Sequence, residues 1–286
     1  MMQPQITTLD HVILSHPHKD HLELLPDVIN QFSPHDVWDS GSRGNMTCGY
    51  WAFLQSVAAS SSIRYHTVTQ ADGDENVSLA ADQCQSAQVR DTTLRHSARI
   101  ESTPVTLGAN ASMQFLHADG SPHSSNPNKN SLVVLFQLGP RRVLFMGDAE
   151  AGGRQLPSKT PSAGSIEGKL LQCCSQDLSA DVLIVGHHGS MTSSRNAFLD
   201  AVGASIFVVS SGPHPYSGVI LPDTAITQNL AARGQVFLTN VDDAACATSA
   251  AKVGSDSDEK PGGCNRVSIA IPMAGPISVV DDQTHD

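Results

Sequence analysis

The sequence predicts a chain of mixed α/β (α+β) class, on three observations. Short apolar runs stop abruptly at polar or glycine-rich sequence, amphipathic stretches follow several of them, and one pair of runs is joined by a hairpin signal. The runs are His11–Ser15 (HVILS), Arg142–Met146 (RVLFM), Asp181–Val185 (DVLIV) and Ser205–Val209 (SIFVV). Continuous β-branched and leucine sequence of this length suits strands covered on both faces. Ser131–Leu138 (SLVVLFQL) leads through Gly139-Pro140-Arg141-Arg142 into RVLFM, which predicts an antiparallel pair. Leu25, Val28, Ile29 and Phe32 recur at helical spacing, with Pro26 tolerable in a first turn. Tyr50–Ala59 and Arg195–Val202 also read as short amphipathic helices.

At 286 residues, a prior of about 150 residues per domain allows one or two domains. No repeat or composition break divides the chain, so a single domain over 1–286 is expected. Its solvated loop insertions are expected at 71–103, 149–168 and 250–264, which are rich in Ser, Gly, Pro, Asp and Gln. Hydrophobic residues are 40% of the chain and charged ones 16%, enough apolar material for a core. A membrane-spanning helix needs roughly 20 apolar residues, and no run approaches that. The opening MMQPQITTLDHVILSH lacks a basic region followed by an apolar one. A cytoplasmic chain without membrane insertion is the expectation.

Lys and Arg number 17 against 28 Asp and Glu, a formal net charge of −11. A large phosphate-neutralising surface is excluded on that balance, although bound metal can still attract a small anionic group. The six cysteines form no C-x-x-C pair, and Cys173 and Cys174 are adjacent. Neither a zinc ribbon nor a compact disulfide framework fits, so reduced thiols are expected.

Histidines carry the chemistry. His16-Pro17-His18-Lys19-Asp20-His21 directly follows a predicted strand. Imidazoles two residues apart on a tight turn can share one metal, with Asp20 and His21 turned to a neighbouring position. Gly186-His187-His188-Gly189-Ser190 follows the strand DVLIV, and Gly147-Asp148 follows RVLFM. Adjacent histidines on extended backbone point opposite ways, so one of the pair is expected to be a ligand. Strand ends on one rim are where α/β scaffolds gather ligands.

These motifs resemble the metallo-β-lactamase-fold hydrolases, and most of all the hydrolase domain of the ComEC-type DNA-uptake competence proteins and their soluble relatives. LSHPHKDH (14–21), NKNSLVV (128–134), VLFMGDAE (143–150), DVLIVGHHGSMTSS (181–194) and NAFLDAVGASIFVVSSG (196–212) carry the likeness. The resemblance implies an αββα sandwich with two divalent ions, zinc or manganese, at one edge. His16 and His18 would hold the first ion, with Asp20, His21 and His187 on the second and Asp148 bridging. Asp20 and Asp148 would hold a metal-bridged hydroxide, and His188 would touch substrate. Ser190, Thr192 and Ser193 would bond a phosphate oxygen or cap the next helix.

The likeness also has departures. No histidine stands near Asn128–Ser131, where the first site usually has its third, so Asn128 or Asn130 is the expected substitute, ahead of His117 and His123, and partial occupancy follows. Only about ten residues precede the first motif, so the fold is expected to lack its N-terminal strands and to oligomerise through an uncovered sheet edge. His214 stands near a histidine of the relatives. The implied function is a metal-dependent phosphodiesterase or nuclease acting on a small anionic or ester substrate or on single-stranded nucleic acid. Alternatives are a hydrolase of lactones, carbon esters or β-lactams, and a non-catalytic module.

Overall fold

The computed structural model describes residues 6–80, 82–85, 87–212, 218–240 and 266–282. The chain divides into two compact units, one of residues 1–102 with 117–132 and the other of 103–116 with 133–286.

In the first unit, strands β1 (His11–Ile13), β2 (Asp36–Trp38) and β3 (Arg64–His66) run parallel. Parallel neighbours need crossovers, and helices α2 (Leu25–Phe32) and α3 (Cys48–Ala58) supply them, after the single turn α1 (Lys19–Leu22). The predicted helices are therefore present. Pro26 sits in the first turn of α2, and Thr47 caps α3 by accepting the Tyr50 N–H at 3.1 Å. Helix α3 buries Tyr50, Trp51, Phe53, Leu54 and Val57 in a core with Leu14, Val37, Tyr65 and Leu94. Each such side chain stabilises the fold by about 1.5–3 kcal/mol.

The stretch 71–103, expected as a loop, holds β4 (Gly73–Ser78) and β5 (Asp91–His96), an antiparallel pair completing the order β1-β2-β3-β5-β4. Polar residues dominate because each strand has one exposed face, and Val77 and Leu94 anchor the other. Behind this pair lies a buried network in which the Tyr50 and Tyr65 hydroxyls donate to Asp39 Oδ2, the latter at 2.6 Å. Arg43 and His96 both bond Glu75, at 2.7 and 2.8 Å. Burial pushes the Glu75 carboxyl up, but the bonds and charges of His96 and Arg43 outweigh it and hold it at about 2.

The expectation of reduced thiols is corrected at Cys48 and Cys84, which form a disulfide with Cα atoms 5.5 Å apart. Folding brings together residues 36 positions apart, a pairing that spacing alone does not reveal. Cys173 and Cys174 are bonded to each other as well. Closing a loop of this length constrains the unfolded chain by about 4 kcal/mol. Replacing Cys84 by Ser should therefore lower the thermal midpoint by roughly 8–12 °C. A midpoint unchanged in oxidised protein, followed by calorimetry, would show that the bond contributes nothing.

In the second unit, seven strands lie in the order β12-β11-β10-β9-β8-β7-β6. Strands β6 (Val105–Gly108) and β7 (Ala111–His117) pair antiparallel, as do β8 (Val133–Leu138) and β9 (Arg141–Phe145). The predicted hairpin turns at Gly139, whose φ of +56° suits a residue without Cβ. Strands β9, β10 (Val182–Ile184), β11 (Ile206–Val209) and β12 (Gln235–Leu238) are parallel, linked through α4 (Ile166–Cys173), α5 (Asn196–Val202) and α6 (Thr224–Ala231). Leu144, Leu183 and Phe207 face Leu170, Phe198 and Leu230 on one side. Val143, Val182 and Ile206 pack with Ile269 and Val279 of the hairpin β13 (Arg266–Ala270) and β14 (Ser278–Asp282) on the other. Both faces are covered, as the apolar runs predict.

The stretch 149–168, also expected to be a solvated loop, includes the start of α4 and the buried Ala149, Ala151 and Glu167. Its Gly- and Ser-rich sequence follows the fold rather than avoiding it. The expected loop 250–264 lies outside the described residues. No helix among the described residues is long and apolar enough to cross a membrane.

Candidate metal centre

In the first unit, Leu14 N donates to Trp38 O at 2.9 Å, carrying the β1–β2 pairing to the edge of the motif. His16 follows, fully buried, and its Nε2 lies 2.9 Å from His18 Nδ1. The chain then enters α1, whose buried Leu22 anchors the turn bearing Asp20 and His21. One hydroxyl braces two imidazoles: Ser15 Oγ is 3.2 Å from His16 Nδ1 and 3.1 Å from His21 Nδ1. Such contacts fix ring orientation and tautomer in metal-binding histidines. His21 Nε2 lies 3.7 Å from Asp20 Oδ2.

The segment expected to replace the missing histidine belongs to the same unit. Asn128 and Asn130 are both buried in a 3-10 turn over Pro127–Asn130. The Asn130 amide donates to the carbonyls of Asp119 at 2.6 Å and Ser121 at 2.9 Å, so it fastens the neighbouring turn. His117 Nδ1 meets Ser131 O at 2.9 Å, and His123 Nε2 meets Asp119 Oδ2 at 3.1 Å. Burial pushes the Asp119 carboxyl up, yet the Ser121 hydroxyl and N–H and the His123 ring hold it at about 2.

In the second unit, β9 ends at Gly147-Asp148, with Asp148 only 2% exposed, and β10 ends at Gly186–Gly189. The two histidines here are not extended. His187 (φ 49°, ψ 47°) and His188 (φ 52°, ψ 28°) both take left-handed backbone, and Gly189 continues it at φ +74°. Such conformations cost about 1–3 kcal/mol each for side-chain-bearing residues and persist where the surroundings impose them. Gly189 has no room for a Cβ, which would lie 2.7 Å from Pro222 Cβ.

This turn separates the rings. His187 Nδ1 meets Thr192 Oγ1 at 2.6 Å and Glu150 Oε1 at 3.2 Å. His188 Nδ1 is fixed by Ser210 O at 2.7 Å, so that its Nε2 faces Asp148 Oδ1 at 3.5 Å. The hydroxyls of the loop are turned inward, a difference from both roles expected of them. Ser193 Oγ donates to Gly186 O at 2.8 Å, and Ser190 Oγ accepts from Arg154 and from Thr192 N, each at 3.2 Å. Helix α5 begins after Arg195 without a side-chain cap.

Two residues in no motif support this loop. Glu167 accepts the N–H groups of Ser194 and Arg195, and Arg195 donates to four carbonyls, among them Gly153 O at 2.6 Å and Met191 O at 2.9 Å. Burial pushes the Glu167 carboxyl up to about 7 against the two N–H bonds and the Arg195 charge. In sequence, Glu167 falls within the stretch 149–168, which reads as a solvated loop. A serine-rich stretch ending in Arg195 gives no sign of burial.

The first unit thus gathers His16, His18, Asp20 and His21, and the second gathers Asp148, His187 and His188; His214 lies outside the described residues. Imidazole nitrogens and carboxylates, several of them buried, fit a borderline divalent cation such as zinc or manganese. Residues 3–214 match the model of the metallo-beta-lactamase superfamily. The chain belongs to that superfamily. Membership accounts for the α+β architecture and supports a divalent-metal site and a metal-dependent hydrolase.

Relatives of this chain include Recombination protein 2 of Haemophilus influenzae, 36% identical over 111 residues, or 37% of this chain and 12% of the relative. Competence protein ComA of Neisseria gonorrhoeae is 33% identical over 102 residues, 36% of this chain and 12% of that one. The alignments therefore span only about an eighth of these relatives. Similar solved structures include CmlA, a diiron β-hydroxylase from Streptomyces venezuelae, at 13% identity and TM-score 0.47, covering 82% of this chain and 44% of CmlA. Another is YhfI from Bacillus subtilis, at 15% identity and TM-score 0.34, covering 81% and 75%.

Proposed function

We propose that the chain is a metal-dependent phosphodiesterase. The observation that carries the reading is the pairing of His188 Nε2 with buried Asp148 at the ends of adjacent parallel strands, in a member of a hydrolase superfamily. His16, His18, Asp20 and His21 would be the first unit's donors to divalent metal, and Asp148 and His188 the second unit's. Asn128 stands in for an imidazole at the position of His16 and His18. His188 replaces His187 in this set because its Nε2 faces Asp148 Oδ1 at 3.5 Å, while its Nδ1 is held by the Ser210 carbonyl.

A divalent ion at such a site supplies Lewis acidity and a water of lowered pKa. Asp20 in the first unit, and Asp148 in the second, would hold and orient a metal-bound water. Ser15 holds His16 and His21 in place, and Ser210 holds His188. A phosphodiester is favoured by the similarity to relatives named for recombination and for competence. The net charge of −11 favours a short or single-stranded substrate over a long duplex.

The test is a substrate panel assayed on chelator-treated protein with added zinc or manganese. Bis(p-nitrophenyl) phosphate should be cleaved, and only when metal is present. Turnover confined to a lactone or a chromogenic cephalosporin would assign the site to carbon esters or lactams. Inactivity on all three would point to a binding module.

A further inference from the structure

We infer that Glu167 and Arg195 are positioning residues for the second unit's metal donors, setting how tightly Asp148 and His188 hold a divalent ion. The inference rests on the metal assignment above and extends it to two residues that no motif marks.

Both side chains are buried, Glu167 at 1% exposure and Arg195 at 0%. A carboxylate and a guanidinium removed from water persist only where their hydrogen-bonding capacity is met. Here backbone meets it at both carboxylate oxygens and both terminal guanidinium nitrogens, though not at Arg195 Nε. Glu167 Oε1 accepts from Ser194 N, and Oε2 accepts from Arg195 N at 3.1 Å. The Arg195 guanidinium donates to the carbonyls of Gly153, Gln155, Leu156 and Met191.

Those partners lie on the two segments that carry the donors. Gly153, Gln155 and Leu156 continue the chain from Asp148, and Met191 and Ser194 continue it from His188. Backbone bonds stitch the same segments together, from Ala151 N to Thr192 O at 2.6 Å and from Gln155 N to Met191 O at 3.0 Å. Glu167 N also donates to Glu150 O at 3.1 Å, fixing the first segment to α4. The clamp thus holds the loop in which His187, His188 and Gly189 take successive left-handed conformations. Strain of this kind needs surroundings that over-determine it, and a clamp made by one carboxylate and one guanidinium is such a restraint. When it loosens, the loop relaxes and His188 leaves its place opposite Asp148.

The test compares zinc affinity, by competition with a chromogenic chelator, with thermal stability in the full chain. Glu167→Gln keeps the volume but turns an N–H donor toward a backbone N–H. Arg195→Lys keeps the charge but loses the fork that reaches four carbonyls. Leu170→Ala, in the same helix, removes core packing but none of the clamp's hydrogen bonds. Both clamp variants should bind zinc at least about 10-fold more weakly than wild type, the size of effect that outer partners have on metal sites. Leu170→Ala should unfold earlier yet bind within about 2-fold of wild type. Clamp variants that bind as wild type would overturn the inference. So would a Leu170→Ala chain that loses as much affinity as they do. A wild-type chain that takes up no zinc would instead overturn the metal assignment itself.

Discussion

Asp148→Asn should abolish metal retention while leaving the fold intact. The side chain is 2% exposed at the end of β9, with His188 Nε2 3.5 Å from its Oδ1. A carboxylate in so dry a place bears a desolvation cost that an isosteric amide does not. The metal-stripped variant should therefore unfold at the same temperature as wild type or higher. Its phosphodiester turnover should fall by at least about 1,000-fold, since a neutral amide is a poor ligand for a divalent cation and about 4 kcal/mol of transition-state stabilisation would go with it. Metal content by elemental analysis, read beside a thermal scan, separates this outcome from misfolding. A variant that keeps its metal and most of its turnover would remove Asp148 from the centre.

His188→Ala should cost far more than His187→Ala. Spacing favours His187, which comes first after the strand, and extended backbone would let only one ring face the rim. The left-handed turn changes this: it directs His187 to Thr192 and Glu150 and presents His188 toward Asp148. Zinc affinity should drop at least about 100-fold in His188→Ala, and at least about 10-fold less than that in His187→Ala, where what is lost is support for the loop. Competition titrations on the two variants decide it. The reverse ranking would restore His187 as the ligand.

Much of this was legible in the sequence. Strands buried on both faces write themselves as unbroken apolar runs, so β9, β10 and β11 can be read directly, as can the hairpin at Gly139. Strands β4 and β5 cannot, because one face of each is exposed and only Val77 and Leu94 mark the other. The histidine clusters stand out because several imidazoles at close spacing are rare outside metal sites. The rest depends on backbone conformation and tertiary placement. Nothing local shows that His187 and His188 share left-handed φ, or that Glu167 meets residues 27 and 28 positions away. The Cys48–Cys84 bond is hidden for the same reason.

Zinc titration of the chelator-stripped chain tests most directly whether these donors hold divalent metal. Two equivalents should bind, unequally. The weaker belongs with His16 and His18, where the Asn128 amide replaces an imidazole and is the poorer ligand. Replacing Asn128 by His should raise the weaker affinity toward the tighter one. A chain that takes up no zinc above background at micromolar concentrations would contradict the claim.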